Sequence, residues 1–185
     1  MAHRPQWNVK RKNLMADLNP TAASLLGFLH AGEASGYELV HTAQQLIGDF
    51  WSLTRSQVYR ELAALDRRGL VEAGPAGPRS RQPYRLTDEG RAAFGAWLAE
   101  PPGTEQIRYP LLLTLAFGSA LDRDRLMGFI AEHRTVHEKR LAGYREQRAA
   151  GCPDRFTEAT LAFGIRYEEG VLAWMDELPA ILEER

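Results

Sequence analysis

Gln57, Tyr59 and Arg60 set an amide, a phenol and a guanidinium close together in the run Thr54-Arg-Ser-Gln-Val-Tyr-Arg-Glu-Leu62. Side chains of these types hydrogen-bond to nucleobase edges and to phosphate oxygens. Ala63 and Ala64 beside them add no bulk that would block a close approach. Two further arginines, Arg79 and Arg81, follow in the Gly- and Pro-rich segment "GPAGPRSRQPY". His133 and His137 offer a different chemistry: an i, i+4 spacing puts them on one helix face, where a third ligand would complete a metal site. They are not arranged as His-Glu-x-x-His, and no other His, Asp or Glu cluster has ligand spacing, so a solvated or helix-seam position is the plainer reading. No catalytic set, cofactor or metal is expected; a metal-dependent hydrolase using His133 and His137 stands as the enzymatic alternative.

The polar run also has a plain structural reading. Gln57 follows Thr54 at capping-box spacing and serves that cap, base reading, or both. Tyr59 suits the edge of a domain, and the Gly/Pro segment suits a mobile loop. The elements around these residues decide between the readings.

Asn19-Pro20 is a helix start, and "TAASLLGFLHAG" is apolar enough for a buried helix that stops at Gly32. Ser35 caps a second helix reaching Leu46 or Ile47, with Leu39, Ala43, Leu46 and Ile47 on one face and Gly48 at its end. A third helix starts from Thr54 as N-cap. At about 100° per residue, Val58, Leu62 and Leu65 share one face, while Ser56, Arg60, Ala63 and Arg67 lie opposite, flanked by Gln57 and Tyr59. Gly69 ends it. A short apolar strand in "LVEAG", a tip carrying arginines, and a second strand from about Tyr84 read as a hairpin. Thr87-Asp-Glu-Gly then opens a helix carrying Ala93, Phe94, Trp97 and Leu98, and Pro101-Pro102-Gly103 is the best domain boundary.

The remainder reads as all-helical, with helices over about 109–121, 123–150 and 156–178, and a break at Gly151-Cys152-Pro153-Asp154. Leu126, Ile130, His133, His137, Leu141 and Tyr144 form one stripe. Phe163, Tyr167, Val171, Trp174 and Leu178 form another, read as core or as a seam between subunits, with an effector pocket around Trp174 as the functional alternative. Three segments follow: 1–19, a basic arm or short helix with Arg4, Lys10, Arg11 and Lys12; 20–103; and 104–185.

Composition narrows the class. Of 185 residues, 44% are hydrophobic, which is ordinary for a folded protein, and the formal net charge is -1, so any nucleic-acid contact must come from a local basic patch. The lone Cys152 makes no internal disulfide and sits in a turn, where it is expected to be inert. No apolar leader and no run of about 20 apolar residues is present, so a cytoplasmic protein outside the membrane is expected.

Three helices followed by an arginine-tipped hairpin form the order of a winged helix-turn-helix, in which the third helix enters the major groove and the hairpin touches the backbone. The expected fold is mainly α: an N-terminal winged helix-turn-helix with a two-stranded wing, then an α-helical dimerisation domain. Within this frame, Ser35-Gly-Tyr-Glu-Leu39, the Gln-x-Tyr-Arg-x-Leu core of the third helix (Gln57 to Leu62) and the closing Tyr84-Arg-Leu-Thr87 resemble the DNA-binding domain of the PadR family of bacterial transcriptional regulators. The segment from "YPLLLTLAFGSALDRDRL" is similar to the helical C-terminal region of the longer members. The resemblance implies a homodimer on a pseudo-palindromic operator, with double-stranded DNA and a second copy as partners. It implies Tyr37 near a phosphate, Gln57, Tyr59 and Arg60 at the groove, and Arg79 and Arg81 in the wing. Thr54, Arg55, Ser56 and Tyr84 complete the expected contact set. Thr54-Arg55 stands where the family often has Ser-Pro, and Gly77-Pro78-Arg79 where it often has Gly-Arg-Pro. A repressor released by an unidentified small-molecule effector is the expected function; a winged-helix protein-interaction module is the alternative.

Overall fold

A computed structural model of the chain describes residues 18–47, 50–77, 81–105 and 107–183. The basic arm with Arg4, Lys10, Arg11 and Lys12, the helix stop at Gly48, and Arg79 at the wing tip lie outside the described residues. The chain divides into two compact units, Met1–Thr104 and Glu105–Arg185.

In the first unit, α1 (Pro20–Phe28) starts where Asn19 accepts a hydrogen bond from the Ala22 amide, with Pro20 at its first position. It runs into a short 3-10 turn, Leu29–Ala31. Ala22, Ala23, Leu25 and Leu26 are buried, because α1 packs against both α3 (Arg55–Arg67) and α4 (Asp88–Leu98). Helix α2 (Gly36–Ile47) buries Leu39, Val40 and Ala43, while Leu46, expected on that face, is exposed. Val58, Leu62 and Leu65 of α3 are fully buried, each worth about 1.5–3 kcal/mol relative to exposure. Gly69, at φ 68, turns the chain out of α3.

The two strands expected for the wing are present, and a third joins them in one sheet. Strand β3 (Pro83–Leu86) lies between β2 (Val71–Ala73) and β1 (Ala34–Ser35), antiparallel to both. Tyr84 stands opposite Ala34 on one side and Ala73 on the other. Two residues are too few to show a period in sequence, which is why β1 went unseen. Proline at 83 has no N–H for the ladder. Gly74 donates to the Pro83 carbonyl, and the Gln82 side-chain amide donates to the Gly74 carbonyl at 3.4 Å. Thr87 joins the parts, donating to the Gly69 carbonyl at 2.8 Å and accepting from Gly90 at the start of α4.

The second unit is helical. Helix α5 (Pro110–Ala116) ends earlier than the expected stop at Leu121, giving way to a 3-10 turn at Gly118–Ala120. Asp122 caps α6 (Arg123–Ala149), and Asp154 caps α7 (Arg155–Ile181). Helix α7 passes Pro179 and runs most of a turn beyond the expected end at Leu178. The two long helices pair antiparallel, as the ion pairs Arg123–Glu183, Arg134–Asp176 and Arg148–Glu158 show.

Their core is split. Leu111, Leu126, Ile130, Met175 and Leu178 form one apolar cluster, and Leu141, Tyr144, Leu161 and Ile165 another. Between them, the imidazole Nδ1 of His137 meets the Glu168 carboxylate, both side chains almost wholly buried. The Tyr109 hydroxyl lies 2.9 Å from His137 Nε2. No helix among the described residues is long and apolar enough to cross a membrane.

Candidate nucleic-acid interface

Thr54 and Gln57 close a complete capping box at the start of α3. The Thr54 hydroxyl accepts from the Gln57 amide N–H at 3.3 Å, and Gln57 Oε1 accepts from the Thr54 N–H at 2.9 Å. Of the two roles open to Gln57, its carbonyl oxygen takes the cap. Ser56 is exposed, with its hydroxyl 3.2 Å from that of Thr54.

Burying Val58, Leu62 and Leu65 turns the opposite face of α3 to solvent. Ser56, Tyr59, Arg60, Ala63 and Arg67 are all exposed there, as their spacing predicts. Arg60 lies 3.8 Å from Glu61, a weak solvent-exposed pair.

The start of α2 supports this face with three consecutive residues. At Gly36, an added Cβ would lie 2.6 Å from the Tyr59 ring, so the absent side chain is what seats that ring. Tyr37 is 61% exposed and takes the Arg55 guanidinium over its ring at 5.6 Å. Glu38 caps the helix and reaches Arg81 at the wing, with its Oε1 2.5 Å from the guanidinium. Hydrogen bonds from the Ser35 backbone, then from the Ser35 hydroxyl, hold the Glu38 carboxyl below its ordinary range, with Arg81 adding to them.

Tyr84 departs from expectation. It is only 7% exposed, because alternation along β3 sends Tyr84 and Leu86 into the core and Arg85 outward to pair with Glu72. Burial is the main cause that raises its phenol pKa. Tyr84 is therefore a core residue of the sheet rather than a surface contact.

In the second unit, the predicted stripe on α7 divides: its Val171, Trp174 and Leu178 end joins the first apolar cluster, and its Phe163 and Tyr167 end faces outward. Phe163 and Tyr167 are 60% and 39% exposed and stack on each other, Val171 and Trp174 are half-buried, and Leu178 is buried. The rest of the inward face is carried by Leu161, Gly164, Ile165, Glu168 and Met175. Glu168 was missed because a carboxylate reads as a solvated residue; its i+3 spacing from Ile165 was the available signal. His133 is half-buried, its ring edge-on to Tyr109, so the two histidines part company. Among the described residues, no group of three or more His, Cys, Asp or Glu side chains is placed to hold a metal ion. Cys152 donates its thiol to Glu158, which raises its pKa.

Residues 25–96 match the family model of the PadR-like transcriptional regulators, and residues 107–183 match that of the virulence activator alpha C-terminal region. A relative from Mycobacterium tuberculosis, named "Probable transcriptional regulator Rv1176c", is 30% identical over 173 residues, covering 82% of this chain and 92% of its own. The chain belongs to the PadR-like family of transcriptional regulators. This PadR-like chain is also 25% identical to the "Negative transcriptional regulator PadR" of Bacillus subtilis, over 87% of this chain and 96% of that one. The structure of Bacillus subtilis PadR with operator DNA shares its fold at TM-score 0.73 and 24% identity, covering 89% of this chain and 100% of that chain. The same protein solved with p-coumaric acid matches at TM-score 0.65 and 23% identity, over 91% and 100% of the two chains. The family and both of these relatives are named as transcriptional regulators, in line with the expected class.

Proposed function

We propose that this PadR-like chain is a repressor that binds double-stranded operator DNA as a homodimer and is released by a small molecule. One observation carries the DNA reading: the face of α3 opposite Val58, Leu62 and Leu65 presents Ser56, Tyr59, Arg60 and Arg67 to solvent beside the wing. With a net charge of -1, affinity must come from this local set. Tyr37, Thr54, Arg55, Gln57 and Arg79 are proposed as its neighbours on the DNA. The negative-regulator name and operator complex of the Bacillus subtilis relative support repression, and its p-coumaric acid complex supports a small-molecule signal. Exposed apolar side chains on α5 and α7, among them Leu112, Leu113, Phe163 and Tyr167, support a second copy as the partner of the helical unit. An effector that binds better to a dimer in a non-reading arrangement lowers operator affinity by that difference.

The test is footprinting on DNA upstream of the protein's own coding region, followed by titration at rising salt. Several arginine–phosphate contacts predict a steep loss of affinity with salt. Affinity for the upstream DNA no better than for random duplex would sink the operator reading. Arg60→Ala binding as tightly as wild type would remove α3 from it.

A further inference from the structure

Glu38 uses both of its oxygens. Oε2 accepts from the Ser35 N–H at 2.8 Å and from the Ser35 hydroxyl at 2.7 Å, which closes a capping box on α2. Oε1 takes the Arg81 guanidinium, 43 residues away in sequence. Arg81 is in turn held by its backbone: its carbonyl accepts from Gly77 at 2.7 Å, the bond that joins the two arms of the wing beyond the Gly74–Pro83 contact. Arg81 is thus the residue at which the wing is fastened both to itself and to α2.

We propose that Glu38 is a positioning residue for operator recognition, and that Arg81 is the strut by which it holds the wing beside α3 rather than a phosphate contact. This rests on the DNA reading above. To reach a phosphate, Arg81 would leave Glu38, and a bare carboxylate would then face the DNA backbone. Paired, the two side chains present no net charge. The Glu38 carboxyl is held below its ordinary range, so it is charged at neutral pH and the pair persists there. The four consecutive residues at positions 35 to 38 then divide the support of this face among them. Ser35 caps α2, Gly36 seats Tyr59, Tyr37 takes the Arg55 guanidinium, and Glu38 holds the wing.

The test is the charge-neutral double variant Glu38→Gln, Arg81→Gln. It is titrated with the footprinted upstream duplex and with a shuffled duplex of equal length, across a salt series. A strut predicts about two- to fivefold weaker binding to the footprinted duplex, the range of an exposed ion pair. It also predicts unchanged binding to the shuffled duplex and an unchanged salt slope. A slope smaller by about 0.9, with both duplexes weakened, makes Arg81 a phosphate contact and overturns the proposal. The second arm needs no DNA: amide hydrogen exchange at Gly74 and Gly77 in the free protein. Exchange accelerated equally in Glu38→Gln, Arg81→Gln and the double variant supports the strut, and exchange unchanged in all three overturns it. If the wild-type chain shows no preference for the upstream duplex, the DNA reading fails while this arm still decides whether Glu38 holds the wing.

Discussion

The ring of Tyr59 rests on Gly36, so close that a methyl group there would sit 2.6 Å from Cε1 and 2.9 Å from Cζ. Gly36→Ala is expected to unseat the ring and cost about 1–3 kcal/mol through overpacking. In a Tyr59→Ala background the same substitution has room and improves helix propensity, so its effect becomes neutral or favourable. A double-mutant cycle in urea denaturation checks the change of sign; equal costs in both backgrounds would mean that the contact is unimportant.

Thr54 is read as a cap, and its two substitutions separate cap from contact. Thr54→Ala should lower stability by about 1 kcal/mol, and Thr54→Ser should restore most of it, because serine also accepts from N3. Circular dichroism during denaturation measures this. A Thr54→Ala protein of unchanged stability would place the residue's importance elsewhere.

Breaking the buried pair between α6 and α7 should be costly. Glu168→Ala leaves His137 without its carboxylate in an apolar core, at an expected cost of about 3–5 kcal/mol. Removing the polar set together, as His137→Leu, Glu168→Leu and Tyr109→Phe, should recover much of that loss, since the penalty comes from stranded polar groups rather than lost attraction. Denaturation of the single and triple variants tests this, and a triple variant less stable than Glu168→Ala would contradict it.

Alkaline stability should depend on Tyr109. Burial, assisted by the neighbouring Tyr167 and Glu168, pushes its phenol from 10.0 up to about 12. A raised folded-state pKa means that the unfolded chain loses its proton first. The contribution is therefore fully present below about pH 10 and falls away as pH rises through about 12. Tyr109→Phe should lack this part of the alkaline decline. Tyrosinate absorbance titration, with unfolding measured across the same range, checks it; identical pH profiles for wild type and variant would refute it.

How much of the molecule was legible in its sequence depended on the length scale of each signal. The helices α1 to α4 announced themselves through Asn19, Ser35, Thr54 and Thr87, short-range caps whose partners lie within three residues. The exposed face of α3 followed from helical period alone. What stayed hidden was set by distant partners: the two-residue β1 against β3, Arg81 on Glu38, and Tyr84 turned inward by strands on both sides. On α7, several aromatics competed for the inward face. The winners were the smaller Gly164 and the charged Glu168, because Tyr144 fills the space over Gly164 and His137 receives Glu168.

The buried polar layer between the two apolar clusters fixes how far one long helix can slide along the other. Leucines on facing helices tolerate many offsets, but Glu168 meets His137 at only one. Sliding α7 by a single turn, about 5.4 Å, would strand both groups in hydrocarbon. The hairpin is therefore indexed like a ruler with one engraved mark, and its reach from turn to open end has a single setting.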